Sequence, residues 1–141
     1  MDIDTIKKEL SSYQNTQHDI KSNLVEYERI MAIGTKITQT LKNTPGGSDE
    51  NNSKVELCAI KLKEITDNIE CDVVDMQDNR DYVISLIDKA GYRYKDVLTY
   101  KYINGLSNIE IGKMMHKDRR QIYNIINAGI DSIFENIKKT G

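Results

Sequence analysis

The chain has no tryptophan, one phenylalanine, one proline and two cysteines among its 141 residues. Large aromatics carry much of the buried area of globular cores. With so few of them, and 38% hydrophobic residues overall, a large core is not expected. One proline and eight glycines leave long stretches in which nothing interrupts a helix. Cys58 and Cys71 both fall inside helical patterns, a spacing that suggests neither a metal cluster nor a disulfide framework. Histidine occurs only at positions 18 and 116, so no Ser/His/Asp arrangement is suggested. A P-loop, a Gly-rich dinucleotide turn and an H-E-x-x-H pattern are also missing. The expectation is a non-enzyme with no catalytic residue, no metal and no cofactor. No apolar run approaches the roughly 20 residues that span a bilayer. The first residues, M-D-I-D-T-I-K-K-E-L, are amphipathic and lack the apolar stretch of a signal peptide. A cytoplasmic protein without a membrane partner is therefore expected.

Net charge is −2, an average that hides an asymmetry. Residues 1–91 carry 11 Lys/Arg and 17 Asp/Glu, whereas residues 92–141 carry 9 Lys/Arg and 5 Asp/Glu. An acidic first part and a basic last part suit different tasks, and the basic part suits a polyanion.

In the acidic part, Ile3, Ile6, Leu10, Tyr13, Gln17, Ile20, Leu24, Tyr27 and Met31 recur at alternating steps of three and four. Such a stripe buries one seam of a helix against another helix. Ile30, Ile33, Ile37 and Leu41 extend it with a phase shift, and Asp2 is placed to cap its start. "NTPGGSDENNS", residues 43–53, then reads as a polar loop broken by Pro45, Gly46 and Gly47. Ser53 and Glu56 have the spacing of a capping box. A second stripe follows through Cys58, Leu62, Ile65, Ile69, Val73, Met76, Val83 and Ile87, interrupted at Arg80 and ending near Gly91. Two such helices with one loop between them fold back most simply as an antiparallel coiled-coil hairpin. Pairing between chains is the competing arrangement, and a hairpin with a wide apolar face is also able to form a homodimer. The expected organisation is a helical hairpin over 1–91 and a separate helical domain over 92–141.

The basic part begins with a short helix over residues 93–104 and a left-handed turn at Gly105. Ser107 and Glu110 form the spacing of a second capping box, and Asp118 and Gln121 a third. Between them lie Ile109, Ile111 and Met115, the turn Met115-His116-Lys117, and Gly112. A mid-helix glycine costs about 1 kcal/mol against alanine, so it needs a reason, and the expected one is close approach of another helix. In the last helix Ile122, Ile125, Ile126, Ile130 and Ile133 share a buried face. That leaves Lys117, Arg119, Arg120, Gln121, Tyr123, Asn124 and Asn127 outward. Arg pairs with guanine O6/N7 and Asn with adenine N6/N7, while Tyr suits a phosphate or a thymine methyl. These residues occupy the first turns of the second helix of the pair, the part that enters the major groove in helix-turn-helix proteins. Lys95, Lys101, Lys113 and Lys117 are the candidate phosphate contacts.

The string "VLTYKYINGLSNIEIGKMMHKDRRQIYNIINAGIDSI" resembles the sigma-70 region-four helix-turn-helix of bacterial sigma factors, which reads a promoter element. Val97, Leu98, Gly105, Leu106, Ser107, Glu110, Ile111, Gly112, Met115, Asp118, Arg119, Ile122 and Ile125 match that pattern in register. His116 departs from it, standing where that family usually has Gly in the turn, and no element resembling the promoter-melting sigma domain is present. A coiled-coil arm followed by this domain is similar to the ArpU/RinA-like phage and prophage transcription regulators. The resemblance implies an all-α protein that binds double-stranded DNA and regulates phage or prophage genes in a bacterial cell. It also implies contact with bacterial RNA polymerase. Two other readings stay open: a packaging or assembly protein such as a small terminase subunit, and a coiled-coil interaction module whose basic helix is only a solvated face.

Overall fold

The computed structural model describes residues 1–43 and 49–140, and it is all-helical, with no strand among those residues. Six helices follow one another: α1 (Ile3–Leu10), α2 (Ser12–Asn43), α3 (Asp49–Asp88), α4 (Lys95–Tyr102), α5 (Asn108–Met115) and α6 (Arg119–Thr140). Asp2 caps α1 as expected, its Oδ1 accepting from the Thr5 N–H at 2.7 Å. The first stripe is not one continuous helix, because Ser11 interrupts it between α1 and α2. The Ser11 N–H and hydroxyl both donate to the Lys7 carbonyl, at 3.2 and 3.0 Å. A serine bonding back to the preceding turn in this way locally bends a helix.

Of the expected loop over 43–53, residues 43 and 49–53 are helical. Asn43 closes α2 and α3 has begun by Asp49, so Ser53 lies inside a helix and does not cap one. The break assigned to Pro45, Gly46 and Gly47 lies outside the described residues.

The chain forms two compact units, Met1–Thr16 with Met76–Gly141, and Gln17–Asp75. The boundary expected at 91/92 is not where it divides. Ile6, Leu10 and Tyr13 from the chain start, and Val83, Leu86, Ile87 and Ala90 from the end of the second stripe, share one core with Val97, Leu98, Ile111, Ile122, Ile126, Ile130 and Ile133. The physical reason is size: a segment of about fifty residues encloses little apolar surface by itself, and small domains are marginal on that account. In this unit α6 packs on α1, α4 and α5, and α4 packs on α5. Polar bonds fix the remaining segments. The Gln14 amide donates to the Tyr102 and Ile103 carbonyls at 3.1 Å each, and the Asn79 amide donates to the Thr16 hydroxyl at 2.8 Å. The Ser132 hydroxyl donates to the Ala90 carbonyl at 2.7 Å, and the Asn136 amide donates to the Lys89 carbonyl.

In the unit Gln17–Asp75, the enclosed seam of α2 runs through Ile20, Asn23, Tyr27, Ile30, Gly34 and Ile37, with Gln17 and Glu26 half-buried beside it, and that of α3 through Val55, Cys58, Leu62, Ile65, Ile69 and Asp72. Both series keep the alternating steps of three and four. The expected stripe drifts off this register: Leu24, Met31, Ile33 and Val73 are exposed. Their places are taken by Asn23 and Asp72, joined by a hydrogen bond of 3.2 Å, and by Gly34, whose missing Cβ would stand 3.8 Å from that of Cys58. Apolar identity alone points to Leu24, whereas the helical phase selects Asn23. Ile30, 4% exposed, is the only fully buried side chain among the described residues of this unit.

Candidate nucleic-acid interface

The candidate surface comprises α5, the turn after it and the first half of α6. Gly105 adopts φ +72° after α4, as expected for a left-handed turn, and Leu106 is drawn back by its N–H donating to the Tyr100 carbonyl at 3.0 Å. The Ser107 hydroxyl oxygen accepts from the Glu110 N–H at 3.2 Å and so caps α5. The Glu110 carboxylate accepts from the Ser107 hydroxyl at 3.1 Å. The reciprocal bond to the cap N–H expected of a capping box is not the one formed there. At α6 the box is complete. The Gln121 N–H donates to Asp118 Oδ1 at 2.7 Å, and the Asp118 N–H donates to Gln121 Oε1 at 3.0 Å.

Between the two helices, His116 takes φ 57° and ψ 44°, the left-handed conformation that glycine adopts most readily. The departure at His116 therefore leaves a left-handed turn in place. The His116 and Lys117 N–H groups both donate to the Gly112 carbonyl. A Cβ on Gly112 would meet the Lys117 carbonyl oxygen at 2.4 Å. The glycine is thus required by the backbone of the turn, not by the body of another helix as expected. The sequence pattern gave no role to Gly129, whose Cβ would stand 3.0 Å from Leu98 Cδ1 and Tyr94 Cβ, where α6 crosses α4.

α6 separates its side chains by face. Ile122, Ile126, Ile130 and Ile133 are buried, and Ile125 is half-buried. Lys117, Arg119, Arg120, Gln121, Tyr123 and Asn124 are exposed, Tyr123 by 56%. Gln121 is outward but engaged in the cap. Asn127 is only half-buried and sits at the edge of this face. Of the apolar residues of α5, Ile111 is buried, Met115 half-buried and Ile109 52% exposed.

Two grooves adjoin the face. One follows the turn and is lined by Lys113, His116, Lys117 and Arg119, together with Ile109, Gly112 and the carboxylate residue Asp118. The other brings Tyr123 and Asn127 beside Lys101, Asn108 and, from α1, Lys7. Lys7 was not among the candidates, because sequence spacing does not show that α1 docks on α6. Lys95, a candidate phosphate contact, instead pairs with Asp88 at 2.9 Å. That carboxylate raises the lysine's pKa, chiefly through the hydrogen bond. Burial raises the pKa of the Tyr102 phenol. No group of metal-ligating side chains occurs among the described residues. No helix of the described residues is long and apolar enough to cross a membrane.

In comparisons with family models, curated proteins and solved structures, none matches the chain.

Proposed function

We propose that α5 and α6 form a helix-turn-helix that reads duplex DNA. The exposed face of α6 would enter the major groove and serve a transcriptional regulator of the sigma region-four type named above. The observation that carries the reading is the division of α6: isoleucines inward, and Arg119, Arg120, Tyr123 and Asn124 outward. Lysines in the two grooves beside this face suit phosphate contacts. Arg119 and Arg120 supply base reading and affinity, and Lys113 and Lys117 supply phosphate contacts. Binding of a labelled duplex, followed by anisotropy across a salt series, tests the assignment. Lys113→Ala and Lys117→Ala each lower the salt slope by about 1, whatever the sequence of the duplex. Slopes unchanged in both variants would move the phosphate contacts elsewhere.

Self-pairing of the chain is favoured by a different observation, an uncharged strip on the unit Gln17–Asp75. Leu24 and Met31 on α2, and Ala59, Thr66 and Val73 on α3, are exposed at equivalent positions of the two heptad series. Met31 and Ala59 line one groove between the helices. This strip is bordered by Lys21 and Glu28 on α2 and by Lys63 and Glu70 on α3. The Asn23–Asp72 bond sets the levels of the two helices. If two copies stack this face, each α2 on the other's α3, Lys21 of one copy comes within about one turn of Glu70 of the other, and Glu28 of Lys63. A second copy of the chain is thus the occupant proposed for this face. Sedimentation equilibrium separates the readings. A mass twice the 16.2 kDa of one chain supports the paired regulator, a ring of many copies supports packaging, and a monomer at all concentrations contradicts both forms of pairing.

A further inference from the structure

The groove beside Tyr123 and Asn127 draws on four helices. Lys7 comes from α1, Lys101 and Tyr102 from α4, and Asn108 from the first position of α5. Behind them lie Ile126 and Ile130, 5% and 1% exposed, and no carboxylate is among the lining residues. Lys7 stands in the last turn of α1, whose Ile6 and Leu10 are fully buried in the shared core and which packs on α6. The start of the lysine stem is therefore held by packing on both sides of its position, and its side chain is exposed. Two lysines from separate helices line one notch, beside residues whose amide and phenol groups also donate hydrogen bonds. That donor set suits a phosphodiester, which offers two charged oxygens and no proton.

We infer that α1 is part of the duplex-binding surface, with Lys7 and Lys101 together holding a backbone phosphate next to the exposed face of α6. This inference rests on the DNA reading of α6 and extends it to a helix about a hundred residues earlier in the chain. It gives the first residues a task beyond completing the core: they fix the orientation of α6 on the duplex, since phosphate contacts set register and base contacts set sequence. The adjacent Lys8 is also exposed but does not line the groove, so it serves as an internal control.

The test uses the full chain and a labelled duplex of mixed sequence, with affinity measured from low to moderate salt. Lys7→Ala and Lys101→Ala each reduce the slope of log affinity against log salt by about 1, Lys8→Ala leaves it unchanged, and Lys7→Arg keeps the wild-type slope. Circular dichroism of each variant confirms that the helices are retained. If Lys7→Ala matches Lys8→Ala while Arg119→Ala/Arg120→Ala loses binding, α1 is outside the interface and the reading of α6 stands. If the wild type does not bind duplex at all, both fall together.

Discussion

At the scale of single residues, the turn between α5 and α6 stores strain in one side chain and removes another. His116 sits at φ 57°, a conformation that costs an ordinary L-residue about 1–2 kcal/mol. Glycine adopts it freely but is more flexible when unfolded, which offsets about 0.4–1 kcal/mol of the gain. His116→Gly is therefore expected to stabilise the fold by about 0.5–1 kcal/mol, read as a higher denaturant midpoint with an unchanged slope. Gly112→Ala acts in the opposite direction. Its Cβ would stand 2.4 Å from a backbone oxygen that cannot rotate away. A loss of about 1–3 kcal/mol is expected, the range of core overpacking, and equal stability of the variant would show that the turn relaxes. Tyr82 donates to Glu9 at 2.6 Å, and this bond, with burial and the carboxylate charge, pushes its pKa up to about 12 from 10.0. A raised pKa means that the folded state holds the proton longer than the unfolded state does. The stabilisation is complete below pH 10.0 and is lost as pH rises through about 12. Tyr82→Phe should flatten stability across that window. The need for glycine at 112 was legible in the sequence as a cost without a compensating feature. Its cause was not, since the Lys117 carbonyl is placed by three-dimensional closure of the turn.

At the scale of elements, local chemistry was the most legible part. Asp2, Ser107 and Asp118 cap helices where short-range spacing places them, because a cap depends on residues only three apart. Asp118→Ala removes one bond of a reciprocal pair and leaves Arg119 and Arg120 on a frayed first turn. A loss of about 1 kcal/mol is expected from thermal unfolding, together with weaker duplex binding. Full retention of both would separate the cap from the interface. Seam register was less legible. The steps of three and four held, but choosing the apolar residue at each step selected Leu24 and Val73 over Asn23 and Asp72. A polar pair satisfies itself across a half-exposed seam at little cost, so hydrophobicity is a weak guide to phase there. The helix start at Asp49 was hidden for a related reason, because a polar stretch rich in Asp and Asn reads equally as a loop or as a solvated helix end.

At the scale of the whole molecule, the all-helical class follows from the scarcity of breakers and the two long stripes, both visible in composition and pattern. The division into units was not visible. It depends on Ile6, Leu10 and Val83 meeting Ile111 and Ile122, contacts of long sequence separation that no local period encodes. The candidate face of α6 was legible because helical geometry alone separates Arg119, Arg120, Tyr123 and Asn124 from Ile122 and Ile126. Lys7 was not, since its relevance arises only once α1 has docked. The central claim is that this face reads DNA sequence, and selection from a random duplex pool at moderate salt tests it most directly. The wild type should enrich a defined motif, and Arg119→Ala/Arg120→Ala, still helical, should enrich none. Enrichment of the same motif by both proteins, or of no motif by either, would contradict the account.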